Sequence, residues 1–200
     1  MDAMEYEVGI NKICNDLKLE EQIFKSYVDE DSIGGYPDKW ECGSIWEIEG
    51  KILYALVRYY KPNQLLEYGT FNGCSTSHIV AAMDKNNLGQ LITVDIVTRP
   101  IKIQSDRLIR VECDGIKHAE SLNTPIDFIF EDGPHSLEFT RDVLKLSLKN
   151  LSIGGIIVIH DAEHFLVGKD VLGGVKEALG QVNSVLIKPS DCGLAYWRKL

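Results

Sequence analysis

The sequence lacks the long apolar run and the cysteine pairs that mark several large classes of protein. No apolar stretch among the 200 residues approaches the length needed to span a bilayer. The first seven residues are acidic and have neither the basic nor the apolar region of a signal peptide. We therefore expect a cytoplasmic protein that does not associate with membranes.

The cysteines show no pattern of pairing. There are five, an odd number, and no C-x-x-C pair occurs among them: Cys14, Cys42, Cys74, Cys113 and Cys192. This usage argues against a disulfide framework and against a cysteine-rich zinc site. It is typical of free thiols in a reducing compartment.

Positive charge is also scarce. The formal net charge is −9, and no run of lysine or arginine is longer than two residues. Non-specific nucleic-acid binding needs a basic surface that displaces counterions, so the composition argues against a nucleic-acid partner. The apolar fraction of 44% suffices for a folded core without metals or disulfides.

The N-terminal part reads differently from the rest. Residues 1–30 carry apolar positions at the spacing of one or two amphipathic helices. Residues 31–43 are rich in glycine and are predicted to form a loop, which also contains Tyr36 and Trp40. These aromatic side chains either form a lid or part of an acceptor pocket, or pack the N-terminal helices on the sheet. Ser44 is expected to cap the next helix, with Glu47 completing a capping box.

From Gln64 onward, short apolar strands alternate with helices, which indicates crossover units and a parallel α/β sheet. Seven strands are predicted: 64–68, 91–95, 107–112, 126–130, 156–159, 182–187 and 193–197. The link 188–192 is too short for a helical crossover, so the last two strands should be antiparallel.

Acidic residues follow the strands at the sheet edge where α/β proteins bind ligands. Asp95, Asp114, Asp132 and Asp161 each stand at or just after a strand. After the first strand, Gly69 and Gly73 allow a tight turn and a close approach of a ligand to the backbone. A dinucleotide would prefer G-x-G-x-x-G, but Glu67 stands in place of the first glycine and brings a negative charge. A cofactor with an ammonium and a sulfonium group suits such acids, although an NAD-dependent enzyme stays an alternative.

The pattern E-x-G-x-x-x-G from Glu67 to Gly73, with an acid ending the second strand, resembles motifs I and II of class I S-adenosylmethionine-dependent methyltransferases. A small subgroup is still more similar, with D-G-x-H at Asp132–His135, Gly154-Gly155 before the fifth strand and His160-Asp161 after it. This subgroup includes catechol-type and sugar or antibiotic O-methyltransferases. The resemblance implies a doubly wound, Rossmann-like seven-stranded sheet of order 3-2-1-4-5-7-6 with its last strand antiparallel. It also implies a helical extension with an aromatic loop at 1–43 and a methyltransferase domain at 44–200.

The resemblance further implies a set of cofactor-binding residues: Glu67, Gly69, Thr70, Phe71, Asn72, Gly73, Asp95, Ile96, Asp114 and Asp132. In it, Gly69 to Gly73 would surround the methionine part of S-adenosylmethionine, and Asp95 would hold the ribose hydroxyls. Asp114 would lie near the adenine amino group, or would instead cap the helix that begins near Ile116.

Asp132, His135 and Asp161 are the catalytic candidates. His135, with a pKa near neutrality, could remove the proton of an acceptor hydroxyl, or it could be a helix-entry histidine that binds the backbone. The resemblance places Mg²⁺ at Asp132 and Asp161, but Ala162 stands where those enzymes usually have Asn or Asp. The metal therefore stays open at this point. His118, His160 and His164 are interpreted as structural histidines.

The expected function is methyl transfer to a hydroxyl of a small molecule or sugar. A cofactor-binding regulator without catalysis and an N- or RNA methyltransferase are the alternatives. A homodimer is compatible with the sequence, which does not identify the acceptor.

Overall fold

The computed structural model describes residues 3–30, 44–187 and 190–200. The described helices are α1 Ala3–Leu17, α2 Glu21–Val28, α3 Glu47–Tyr60, α4 Cys74–Asn86, α5 Gly115–Ser121, α6 Leu137–Ser147 and α7 Gly168–Leu179. The described strands are β1 Gln64–Tyr68, β2 Gln90–Asp95, β3 Leu108–Glu112, β4 Ile126–Glu131, β5 Leu151–Ile159, β6 Asn183–Val185 and β7 Leu194–Arg198. None of the described helices is both long and apolar enough to cross a bilayer.

The strands form one seven-stranded sheet of order β3-β2-β1-β4-β5-β7-β6. The first five strands pair in parallel, whereas β7 runs antiparallel to both β5 and β6. The predicted strand order and the antiparallel last strand are therefore confirmed. Because β1 and β4 are neighbours, the turn after β1 and the loop after β4 meet at the same edge of the sheet.

Apolar side chains cover both faces of the sheet. Leu65 and Phe128 point into a cluster with helices α1 to α4, while Leu66 and Ile129 point into a cluster with α5 to α7. Successive residues of a strand face opposite sides, so strands that are buried on both faces are apolar throughout. The sheet thus forms a rigid platform between two helical layers.

Helices α1 and α2 pack into the same apolar cluster as α3 and the sheet, through buried residues such as Ile13 and Phe24. Tyr196 of β7 also donates a hydrogen bond to Asp16 of α1, with 2.7 Å between Oη and Oδ2. The N-terminal helices therefore share the core of the sheet. A boundary at residues 43 and 44 stays a prediction, and the aromatic loop 31–43 lies outside the described residues.

Three predictions about the start of a helix or strand were wrong. Helix α3 begins at Glu47, and Glu49 rather than Glu47 accepts a bond from the backbone N–H of the preceding Trp46, at 3.3 Å. Ser44 instead accepts a hydrogen bond from the Asn72 amide at 2.6 Å. Strand β5 already begins at Leu151, whereas the fifth strand was predicted to begin at residue 156. Leu151 pairs with Ile126 of β4, a register shift follows, and Gly154 and Gly155 instead form backbone hydrogen bonds with Lys199.

Candidate active site

A cavity of about 420 Å³ opens at the carboxyl ends of β1, β2 and β4. Its lining includes seven residues predicted from the sequence: Gly69, Phe71, Asp95, Ile96, Asp114, Asp132 and His135. Tyr68, Val94, Arg99, Cys113 and Phe139 also line it. The cavity is therefore the place where most of the predicted cofactor residues come together.

Gly69 makes the closest backbone approach at this edge. Its φ is +92°, and a Cβ atom there would lie 2.0 Å from the carbonyl oxygen of Asp132. Its N–H donates to the carbonyl of Val94 at 2.9 Å. The turn after β1 thus packs directly on the loop after β4, and an L side chain at this position would push the two apart.

Asp95 at the end of β2 organises the turn from the other side. Its Oδ2 accepts the backbone N–H groups of Thr70 at 3.0 Å and Phe71 at 2.8 Å. Its Oδ1 accepts the N–H of Val97 at 3.1 Å. A carboxylate has about four acceptor positions, so Asp95 retains acceptor capacity toward the cavity that it lines.

Glu67 is fully buried and is not among the residues that line the cavity. Its oxygens accept hydrogen bonds from the hydroxyls of Ser75, Thr76 and Thr93, each at 2.6 Å. Burial raises the pKa of Glu67 to about 7, although the three hydroxyl bonds oppose this shift. The charge of Glu67 was expected to oppose a pyrophosphate at the turn, but the structure places the carboxyl between α4 and β2.

The remaining turn residues have mostly internal contacts. The hydroxyl of Thr70 lies 2.6 Å from that of Thr93, and Asn72 donates to Ser44. Gly73, with φ +82°, directly precedes α4. The Phe71 ring lies under the guanidinium of Arg99, 4.5 Å from its centroid. Cofactor contacts of Glu67, Thr70, Asn72 and Gly73 stay predictions.

Asp114 is a helix cap that also lines the cavity, and its contact with adenine stays a prediction. Its Oδ1 accepts the backbone N–H of Lys117 at 3.0 Å, which makes it the N-cap of α5. It also lines the cavity, beside Cys113 and Gly115. Ile96 is exposed and lines the same part of the cavity.

The three catalytic candidates converge, although Asp161 lies 26 positions or more beyond the other two in the chain. His135 Nε2 lies 2.8 Å from Asp161 Oδ2 and 3.5 Å from Asp132 Oδ1. Asp132 and Asp161 are largely buried, whereas the His135 side chain is 39% exposed. The imidazole therefore stands between two carboxylates at the mouth of the cavity.

These contacts decide the charge of His135. Hydrogen bonds that His135 donates to Asp132 and Asp161 raise its pKa to about 10, against the opposing effect of burial. Burial alone would raise the pKa of both carboxyls, but the nearby imidazoles outweigh it and lower the pKa of each. The expectation of a near-neutral pKa for His135 was therefore wrong, because the sequence did not show that it faces two acids.

A second imidazole, that of His160, lies behind this group. Its Nδ1 is 3.1 Å from Asp132 Oδ1 and its Nε2 is 2.9 Å from Glu49 Oε2. Burial disfavours the charged form of His160, but the charge of Asp132 and the hydrogen bonds to the neighbouring acids raise its pKa well above the usual value. Since ionised carboxylates only accept hydrogen bonds, both ring nitrogens act as donors in this arrangement.

Glu49 is a site residue that sequence reasoning missed. It is 0% exposed and also accepts hydrogen bonds from Ser190 Oγ and, at 2.8 Å, from the N–H of Gly193. One signal could have found it: Glu49 lies on the apolar stripe of α3, between Ile48 and Ile52. A charged residue on a buried helix face normally has a specific partner.

A sheet of this order, with a glycine turn after β1 and a carboxylate ending β2, defines the class I S-adenosylmethionine-dependent methyltransferase fold. Residues 66–162 match the family model described as a methyltransferase domain. The matched segment and the fold together support an S-adenosylmethionine-dependent methyltransferase. No curated protein sequence matched it.

Solved structures show the same fold at low sequence identity. The SAH-bound methyltransferase PaMTH1 of Podospora anserina is 16% identical, with TM-score 0.62, over 88% of this chain and 92% of that one. The SAH complex of the O-methyltransferase from Bacillus cereus is 15% identical, with TM-score 0.59, over 100% of both chains. CalS11, a TDP-rhamnose 3'-O-methyltransferase of calicheamicin biosynthesis, is 17% identical, with TM-score 0.58, over 76% of this chain and 77% of that one.

Proposed function

We propose that this enzyme transfers a methyl group from S-adenosylmethionine to a hydroxyl of a small molecule or sugar. The observation that carries the proposal is the convergence of Asp132, His135 and Asp161 beside the glycine turn. The O-methyltransferases among the similar folds support the same acceptor atom. The resemblance of the D-G-x-H segment to catechol-type and sugar O-methyltransferases favours it as well.

The cavity fits the cofactor in shape and in charge. Gly69 lines the cavity and, because it has no Cβ, lets the turn pack directly on the carbonyl of Asp132. Asp95 faces the end of the turn with spare acceptor capacity, as ribose hydroxyls require. Asp132 adds negative charge at the opposite side, which suits a sulfonium. The bound cofactor supplies an electrophilic methyl group.

In this proposal the protein orients the acceptor oxygen in line with the methyl carbon and accepts the proton of the acceptor hydroxyl. The oxygen–carbon bond forms as the carbon–sulfur bond breaks, and the hydroxyl proton must leave. His135 is the group at the cavity mouth that can take it, once it has lost its own proton.

The carboxylates of Asp132 and Asp161 are also the residues that would hold a divalent cation. Their ligand oxygens lie within 4.8 Å of each other, close enough for one ion. Ala162 offers no side-chain oxygen beside them. A cation there would supply Lewis-acid polarisation of the acceptor hydroxyl. Mg²⁺ would be bound through these two carboxylates and water.

A transfer assay tests the proposal. The protein is incubated with methyl-labelled S-adenosylmethionine and a panel of catechols, sugar nucleotides, amines and RNA, with and without Mg²⁺. We expect label on a hydroxyl compound, and a loss of at least about 100-fold in kcat/KM for His135→Gln. His164→Gln is the matched control, because His164 is a neighbouring histidine that does not line the cavity.

Two outcomes would contradict the proposal. Label on amines or RNA alone would establish an N- or RNA methyltransferase. Tight binding of S-adenosylhomocysteine without any transfer across the panel would instead favour the cofactor-binding regulator.

A further inference from the structure

A buried ion pair joins helix α3 to the end of β5. His160 Nε2 lies 2.9 Å from Oε2 of Glu49, and the two side chains are 4% and 0% exposed. The backbone N–H of His160 donates to the carbonyl of Glu131 at 2.9 Å, which continues the pairing of β5 with β4. The imidazole is therefore fixed both at its backbone and at Nε2.

Glu49 is itself held in place by four donors. Besides His160, the N–H of Trp46 donates to Oε2 at 3.3 Å, and both Ser190 Oγ and, at 2.8 Å, the N–H of Gly193 donate to Oε1. A carboxylate has about four acceptor positions, so these donors use the whole acceptor capacity of Glu49. A rotation of the carboxylate would leave a buried donor without a partner, at a cost in free energy. Glu49 is thus a rigid anchor for the His160 ring.

The other ring nitrogen of His160 faces Asp132, a residue that lines the cavity. Nδ1 lies 3.1 Å from Asp132 Oδ1, and His135 Nε2 lies 3.5 Å from the same oxygen. The His135 side chain is 39% exposed, whereas the His160 side chain is buried. Of the two imidazoles, the buried one therefore provides the rigid contact that fixes the carboxylate of Asp132.

Stability alone is a weak reason for a buried pair of this kind. Removing a carboxylate and an imidazole from water costs free energy, and apolar residues of similar volume often serve the fold equally well or better. Apolar residues could not, however, donate a hydrogen bond to Asp132. The arrangement of Glu49, His160 and Asp132 accordingly points to a task in the cavity.

We propose that Glu49 is a positioning residue that acts through His160 on Asp132 and thereby makes the cavity prefer S-adenosylmethionine to S-adenosylhomocysteine. The two ligands differ in charge at sulfur, since the methyl donor is a sulfonium and the product is a neutral thioether. A carboxylate fixed beside the sulfonium attracts the donor, and salt screens this attraction little in a largely buried place. Loss of the charge on methyl transfer then favours release of the product. The inference rests on the proposed function, because it takes Asp132 to lie beside the sulfonium of the bound cofactor.

Calorimetric titration of the chelator-treated, full-length protein with each ligand, without an acceptor, measures this preference. Two neutral variants separate the contacts of His160, because the amide nitrogen of asparagine takes the place of Nδ1 and that of glutamine takes the place of Nε2. His160→Gln should keep the bond to Glu49, lose the bond to Asp132 and lower the preference for S-adenosylmethionine about three- to fivefold. His160→Asn should keep the bond to Asp132 from a shorter side chain that needs no anchor, and its preference should stay within about twofold of wild type.

The sign of the change in His160→Gln separates positioning from charge. On charge alone, removing the positive imidazole would strengthen the attraction of the cavity for a sulfonium. A weaker preference in this variant therefore reports the lost orientation of Asp132.

Two neutral variants of Glu49 test the anchor itself. Glu49→Met keeps the length of the side chain but accepts no hydrogen bond, and it should lower the preference about two- to fivefold. Glu49→Gln removes the same charge but keeps one acceptor oxygen, so it should lose less. In the His160→Asn background, Glu49→Met should cause no further loss, because the effect is transmitted through the imidazole.

Tyr196→Phe is the control for lost stability, because it removes a hydrogen bond of the same core, to Asp16, and Tyr196 does not line the cavity. It should lower the free energy of unfolding and leave the ligand preference unchanged. An unchanged or increased preference in His160→Gln, equal losses in His160→Gln and His160→Asn, or an equal loss in Tyr196→Phe would overturn the proposal. If His160→Gln fails to fold, an unchanged preference in Glu49→Met would overturn it instead.

The inference and the proposed function can fail separately. A lower preference in His160→Gln without methyl transfer to any hydroxyl would remove the proposed function and leave the role of Glu49 and His160 standing. Methyl transfer to a hydroxyl by a protein whose preference falls in Asp132→Asn, but not in Glu49→Met or His160→Gln, would do the reverse.

Discussion

His135 Nε2 lies 2.8 Å from Asp161 Oδ2, which joins the loop after β4 to the end of β5. Asp161 adopts this position with φ +54°, an uncommon backbone conformation for a residue other than glycine. Such strain is found where the surrounding structure holds a functional group in place. The pair therefore sets both the orientation and the charge of the imidazole at the cavity mouth.

This pair predicts a pH dependence of stability. The pKa of His135 rises from 6.5 to about 10 in the folded protein, so protonation stabilises the fold. The contribution is complete below about pH 6.5 and is lost as the pH rises through about 10. In chelator-treated protein, the difference in Tm between wild type and His135→Gln should shrink steadily between these values.

NMR titration of the histidine rings checks the same shift directly. The His135 resonance should titrate near pH 10 in the metal-free protein. A midpoint near 6.5 for His135, or an equally large pH-dependent Tm difference in the His164→Gln control, would contradict the assignment of the shift to Asp132 and Asp161.

Gly69→Ala should abolish cofactor binding and destabilise the fold. The new Cβ would lie 2.0 Å from the Asp132 carbonyl oxygen, and φ +92° is strained for alanine. Gly180→Ala is the matched control, because Gly180 has φ +79° but a Cβ added there would meet no atom within 4 Å, apart from its near neighbours. The control should lose only about 1–3 kcal/mol, the cost of a sparsely populated backbone conformation alone.

Chemical denaturation and titration with S-adenosylhomocysteine measure these two effects. Equal destabilisation by both substitutions would show that the contact between the turn and the loop after β4 contributes nothing to the free energy of unfolding. Retained cofactor affinity in Gly69→Ala would place the cofactor elsewhere.

Asp95→Ala should weaken S-adenosylhomocysteine binding at least about tenfold, which corresponds to about 1.4 kcal/mol. The substitution leaves the N–H groups of Thr70 and Phe71 without their acceptor and removes the proposed ribose contact. Asp95→Asn keeps one acceptor oxygen and should lose less. Calorimetry measures the affinity of both variants for S-adenosylhomocysteine, with the exposed Asp106→Ala as the control. Equal affinity in all three variants would refute the role of Asp95.

Glu67→Gln should lower the free energy of unfolding by about 1–3 kcal/mol. Glutamine has one acceptor oxygen for the hydroxyls of Ser75, Thr76 and Thr93, and its NH₂ group faces donors. Because burial raises the pKa of Glu67 from 4.5 to about 7, the wild-type fold loses stability as the pH rises through this range, so the loss on substitution should be larger at pH 6 than at pH 8. Unchanged stability in urea denaturation at both pH values would contradict the structural role of this carboxyl.

The sequence predicted the sheet well because its signals are local. Apolar strands that alternate with helices indicate a parallel sheet. The link at 188–192 is too short for a helical crossover and indicates an antiparallel pair. Gly69 could be identified from the sequence because a turn after a buried strand needs its conformation. Strand and helix ends were less accurate, as at Leu151, because β5 is extended by the pairing of Leu151 with β4 and by the bonds of Gly154 and Gly155 to Lys199, which are distant in the chain.

The charge state of the site came from tertiary structure. Glu49 and His160 are 111 positions apart, and no local pattern shows that α3 places a carboxyl against the end of β5. The same holds for His135, whose pKa depends on an aspartate 26 positions further along the chain. The sequence by itself determined the class of fold and the edge of the sheet where chemistry occurs. Only the tertiary structure decided which acids face which imidazoles, because electrostatic interactions depend on distances and burial that the folded chain alone sets.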